Sequence, residues 1–109
     1  MKLALAQLNF HIGNFEENTS RIISSIRRAK SEAADIVVFP ELAVCGYPPL
    51  DFLEFDDFIR RCKESINLIA VECVGIAAIV GSPSVNAQIE GKNLFNSAFF
   101  LADGEIKKV

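Results

Sequence analysis

The sequence predicts an α/β fold in which two βα units lead into a β-hairpin. Three observations predict it. Short apolar runs at Leu3–Leu8, Asp35–Phe39 and Ile76–Val80 are each bounded by polar or Gly/Pro-containing residues. Between them lie two stretches whose apolar residues recur at helical spacing. Beyond the third run, Asp103-Gly104 separates two further strand-like runs, which is a strong two-residue hairpin signal.

Leu3–Leu8 is predicted as the first strand. Leu3 and Leu5 alternate with Ala4 and Ala6, so both faces are apolar and the strand is expected between layers. His11-Ile12-Gly13 forms the turn out of it. Asn14 reads as a helix N-cap, with Glu17 three residues on completing a capping-box analogue. Glu16 and Glu17 also suit the positive end of the helix dipole. Ile22, Ile26, Ala29 and Ala33 then form the inner stripe, with Arg27, Lys30 and Glu32 outward.

Asp35–Phe39 is the second strand, ended by Pro40. A strand, a helix and a strand joined by short links imply a parallel pair. Gly46 to Asp51 is loop, since Pro48-Pro49 forbids helix there. A second helix is expected to begin near Asp56-Asp57, its inner stripe formed by Ile59, Cys62, Ile66, Ile69 and Cys73. Ile76–Val80 is the third strand, stopped by Gly81-Ser82-Pro83. Phe95–Ala102 and Glu105–Val109 flank the hairpin turn. The last strand ends the chain without a cap or polar tail, so residues 1–109 read as the N-terminal portion of a larger domain. Helices on one side would leave the opposite sheet face bare. Each Val, Ile or Phe there costs roughly 1.5–3 kcal/mol relative to burial, so the isolated chain is expected to self-associate.

The chain has 109 residues, half of them hydrophobic, and a formal net charge of −3. That is a globular composition of at most one domain. The acidic balance argues against nucleic acid or an anionic membrane as partner. The basic pairs Arg27-Arg28, Arg60-Arg61 and Lys107-Lys108 read as solvated faces. Cys45, Cys62 and Cys73 are odd in number and lack C-x-x-C spacing, which disfavours a disulfide framework or zinc site and suits a reducing cytoplasm. No apolar run approaches membrane-spanning length. No Gly-rich phosphate cradle is present, so no cofactor and no metal are assigned to these residues.

The most informative stretch is Val37-Val38-Phe39-Pro40-Glu41-Leu42-Ala43-Val44-Cys45-Gly46-Tyr47-Pro48-Pro49. Glu41 is a lone carboxylate among apolar residues at the carboxyl end of a parallel strand, where open α/β folds collect ligands. Desolvation there would raise its pKa and make it a general base near neutral pH. A capping carboxylate paired to an Arg would give the same sequence. Tyr47 is a second candidate, able to orient a substrate through its hydroxyl or simply to pack on Pro48 and Pro49. His11, beside its Gly turn, reads as a loop residue. Cys45, Cys62 and Cys73 read as buried inert thiols.

This stretch resembles the first signature of the carbon–nitrogen hydrolase (nitrilase) superfamily. Other matching pieces are Ala4 to Asn9 ahead of Gly13-Asn14, Asn18 in the first helix, Gly81-Ser82-Pro83, and Asn96-Ser97-Ala98 followed by Asp103-Gly104. Within the superfamily, G-Y-P-P-L-D-F-L is most similar to the glutaminase domains of glutamine-dependent NAD synthetases. The resemblance implies a partial αββα nitrilase-type sandwich and a Glu-Lys-Cys triad that hydrolyses a small amide, here glutamine. Glu41 would be the base and acid, and Tyr47 would lie near the substrate. The resemblance further implies a Lys and a nucleophilic Cys beyond Val109, a partner synthetase domain that uses ATP and the released ammonia, and a homo-oligomer of the complete protein. Residues 1–109 alone are then expected to be inactive. Two rivals stand beside this reading: a free-standing amidase acting on another small amide, and a non-catalytic α/β binding module. A nucleotide-binding Rossmann-type domain is disfavoured by the missing Gly-rich first turn.

Overall fold

A mixed five-stranded sheet with two helices on one face is the architecture of the chain, seen in a computed structural model that describes residues 1–7, 14–40, 43–44, 56–85 and 94–109. The elements are β1 (Leu3–Leu5), α1 (Phe15–Ser31), β2 (Ile36–Val38), α2 (Asp56–Glu72), β3 (Ala77–Val85), β4 (Leu94–Ala102) and β5 (Glu105–Lys108), and the sheet order is β1-β2-β3-β4-β5. β1, β2 and β3 run parallel, with Leu3 opposite Ile36 and Ile36 opposite Ala77. β4 and β5 return antiparallel. The two βα units and the hairpin are therefore as the sequence predicts. Among the described residues, no helix is long and apolar enough to cross a membrane.

The start of α1 follows the capping rule with one change. The Asn14 side-chain oxygen accepts from the Glu17 amide at 3.3 Å, and the Asn14 carboxamide donates to the Glu17 carboxylate at 2.8 Å. Glu17 thus answers the cap's side chain. Ile22, Ile26 and Ala29 are buried as expected, but Ala33 is exposed and Ala34 is buried in its place. The helix stops at Ser31, and Ala33 sits at φ 62°, with its amide on the Lys30 carbonyl and the Ala34 amide on the Ala29 carbonyl. This is a Schellman closure built on alanine at the position that glycine normally fills.

The α2 stripe is also as expected: Cys62, Ile66, Ile69 and Cys73 are buried and Ile59 is half-buried against the core. Phe15 meets Phe58 edge-on at 4.9 Å, and Arg27 bridges to Glu72 at 2.8 Å, so the two helices are joined at both ends. The basic pairs are surface features, as Arg28–Glu32, Arg60–Glu64 and Lys107–Asp103 contacts show.

β3 departs from the prediction. It does not stop at Val80 but runs through Gly81, Ser82 and Pro83 to Val85, paired with β4 throughout. β2 pairs only with Ala77–Ile79, so beyond that point β3 has a strand partner on one side alone among the described residues. A proline is tolerated where no second ladder needs its missing N–H. The hairpin turn is as predicted, with Asp103 at φ 54° and Gly104 at φ 77°.

Side chains alternate across the sheet. Val37, Ala78, Val80, Phe99 and Leu101 are buried toward the helices. On the other face Leu3 and Leu5 are 57% and 67% exposed, and Ile36, Val38, Ile79 and Phe100 are only partly covered. Purified residues 1–109 are therefore expected to self-associate in sedimentation velocity, and Leu5→Lys with Ile79→Lys to shift the population to monomer. Ala33→Gly is expected to stabilise the chain by about 0.5–1 kcal/mol, since alanine is strained at positive φ and the looser unfolded glycine offsets part of the gain. A urea midpoint that rises at unchanged slope would show it.

Candidate functional site at the carboxyl end of strand β2

β2 delivers the chain to Phe39 and Pro40 at the carboxyl end of the parallel strands. Phe39 donates its amide to the Ile79 carbonyl of β3 at 3.0 Å. In an unbroken parallel ladder the residue two places further would take the Gly81 carbonyl. Val44 takes it instead, at 3.2 Å. The span between these two anchors is thus longer than the ladder requires, and Glu41 lies within it in sequence. Ala43 and Val44 are buried, as is Ser82 next to the second anchor.

Glu41 and Tyr47, the two residues singled out by sequence, lie outside the described residues. So do Cys45, His11 with its turn, and the Gly46–Asp51 loop. What the structure does locate is the frame on either side of Glu41. One member of that frame is a matching piece of the family resemblance to which sequence reasoning assigned no role. Asn18 is fully buried on α1 and donates its carboxamide to the Val44 carbonyl at 3.2 Å. The signal that could have assigned one is a polar residue on the stripe Phe15, Ile22, Ile26, where a leucine would be ordinary.

The remaining chemistry of the described residues is quiet. Cys62 and Cys73 are buried thiols that form no disulfide. Burial, with the Glu72 carboxylate adding to it, pushes the Cys73 thiol up to about 11, and its Sγ contacts the Ile69 carbonyl at 3.5 Å. It is a protonated thiol at neutral pH and not a nucleophile. Lys107 is exposed and held by the carboxylates of Glu105 at 2.9 Å and Asp103 at 3.3 Å, which raise its pKa. No three His, Cys, Asp or Glu side chains among the described residues come together to hold a metal. A groove of about 490 Å³ between α1 and α2 is lined by Phe15, Thr19, Ile23, Arg61 and Leu68 among others, and includes none of the groups that anchor Phe39 or Val44. It belongs to the helix surface and not to this site.

The carbon-nitrogen hydrolase family model matches residues 2–108. The chain belongs to the carbon-nitrogen hydrolase family. Its sequence is 40% identical over 109 residues to a glutamine-dependent NAD(+) synthetase of Xylella fastidiosa (strain Temecula1 / ATCC 700964), covering 99% of this chain and 19% of that protein. The crystal structure of a glutamine-dependent NAD(+) synthetase from Cytophaga hutchinsonii superposes with a TM-score of 0.88 at 27% identity, over 96% of this chain and 17% of that one. An amidase from Nesterenkonia sp. shares the fold, with a TM-score of 0.78 at 22% identity, over 99% of this chain and 41% of the amidase. This carbon-nitrogen hydrolase chain thus spans about a fifth of the length of the synthetases it matches.

Both buried thiols of the hydrolase chain should be unreactive while it is folded. At about pH 8, iodoacetamide is expected to label Cys62 and Cys73 on the order of 10²-fold more slowly than a free thiol. Peptide mapping by mass spectrometry, repeated in denaturant where both should label fully, checks this.

Proposed function

We propose that these residues are part of the glutamine-hydrolysing unit of a glutamine-dependent NAD synthetase, with Glu41 as its general base and acid. One observation carries the reading: the 40% identity to the Xylella synthetase extends over 99% of this chain, and so includes the segment around Glu41. The likeness to the Nesterenkonia amidase concerns the fold and leaves the substrate open.

In this reading Glu41 takes the proton of a Cys thiol, supplied by sequence outside residues 1–109, and the sulfur attacks the glutamine amide carbon. A Lys from the same source and neighbouring donors hold the oxyanion. The Glu41 carboxyl gives its proton to the departing nitrogen, the C–N bond breaks, and ammonia leaves a thioester. Glu41 then takes a proton from water, whose oxygen attacks the thioester carbon. The C–S bond breaks, glutamate is released, and Glu41 returns the proton it took from water to the sulfur. Tyr47 would orient the substrate. Cys62 and Cys73 are unsuited to the nucleophile's role because both are buried in the helix–sheet core.

The released ammonia would pass to a synthetase domain in which ATP adenylates nicotinic acid adenine dinucleotide, and ammonia completes the amide. The complete protein would be a cytoplasmic homo-oligomer. Such a partition has a direct consequence. In the complete polypeptide, Glu41→Gln is expected to lower glutamine-dependent NAD formation by about 10²–10⁴-fold, the usual contribution of general acid–base catalysis. Formation supported by added ammonium should be unchanged. Glutamine-dependent turnover within twofold of the parent would remove Glu41 from the mechanism. Hydrolysis of other small amides but not glutamine would favour a free-standing amidase.

A further inference from the structure

We infer that Asn18 is a positioning residue for the catalytic segment, fixing the anchor to which the chain returns after Glu41; this rests on the reading of Glu41 given above. Asn18 has no solvent exposure. A buried carboxamide in an apolar stripe is destabilising unless its hydrogen bonds are made. Its donor goes to the Val44 carbonyl, 26 residues away in sequence, at 3.2 Å. The Val44 amide meanwhile donates to the Gly81 carbonyl. Val44 is therefore held by the helix through its carbonyl and by the sheet through its N–H, and its side chain is fully buried.

Asn18 is well placed for such a task. It lies one turn into α1, next to the Asn14 cap and the Phe15–Phe58 contact, so the backbone that carries it is already fixed. Phe39 anchors the outgoing chain on Ile79 of the same strand. Without Asn18 the buried Val44 carbonyl would lose this donor, and the return anchor would shift to find another. A carboxyl that must serve two half-reactions tolerates little displacement, since a misplacement of about 1 Å can cost about 10²-fold in rate.

The test compares Asn18→Leu, which keeps bulk and removes the donor, and Asn18→Ala with the parent in the complete polypeptide. Three quantities are read: kcat and KM for glutamine, ammonium-dependent NAD formation, and amide hydrogen exchange by region. Expected for both variants is a kcat lowered about 10²-fold with KM within threefold. Ammonium-dependent activity should be retained. Exchange should be at least tenfold faster in peptides covering Phe39–Val44 but unchanged in α2 and β4. A kcat within twofold of the parent overturns the inference. So does exchange that accelerates equally across α2 and β4, which would make Asn18 an ordinary core residue. Glu41→Gln, run alongside, separates the two levels. If that variant keeps full glutamine turnover, the reading of Glu41 itself fails; if it is inactive while Asn18→Leu is normal, only the role of Asn18 fails.

Discussion

Parallel pairing of β2 with β3 is the constraint on which the rest of the structure depends. Parallel neighbours need a crossover, and α2 lies on it. Because β1, β2 and β3 follow one another in sheet order, both crossovers turn the same way and set α1 and α2 on one face. The burial of Val37, Ala78 and Val80 toward that face, with Ile22, Ile26, Ile66 and Ile69 opposite them, is the result. The same pairing brings the ends of β2 and β3 together, where the Val44 amide meets the Gly81 carbonyl. Core and site therefore have a common origin.

The bare sheet face follows from the same topology. Leu3 and Leu5 are apolar on the side that neither α1 nor α2 covers, and the register aligns them with Ile36, Val38, Ile79 and Phe100. A β-strand with both faces apolar is expected between layers. The helical layer accounts for one of them. The other face fits the sheet-on-sheet packing that the resemblance to the αββα family implies.

Most of this architecture was legible because local chemistry and global fold agree. Asn14 and Glu17 mark the helix start by a hydrogen bond that the structure contains, and Asp103-Gly104 marks a turn whose two positive φ values those residues tolerate. The errors arise where tertiary pairing outweighs local punctuation. Ala33 continues a helical period in sequence, yet the chain needs a left-handed residue there to reach Asp35, whose carboxylate accepts the Lys2 amide at 2.6 Å. Of the candidate site, Glu41 and Tyr47 are read from the sequence only as residue types in a motif, and both lie outside the described residues. The contact between Asn18 and Val44 was not legible, because no local rule links two residues 26 apart.

The misplaced end of β3 bears directly on the site. Gly81-Ser82-Pro83 reads as a stop, and in isolation it would be one. β4 keeps those residues extended by pairing Gly81 with Ala98, Ser82 with Ser97 and Pro83 with Asn96. The Gly81 carbonyl is thereby left on the opposite edge of β3, past the end of β2, where it accepts from Val44. Had β3 ended at Val80, the return anchor would have had no acceptor of fixed position. The hairpin at the end of the sequence thus contributes to the frame around Glu41, although β4 lies on the far side of β3 from it. A motif reading centred on residues 37–49 misses this dependence, because the residues that impose it come roughly fifty positions later and act only through the sheet.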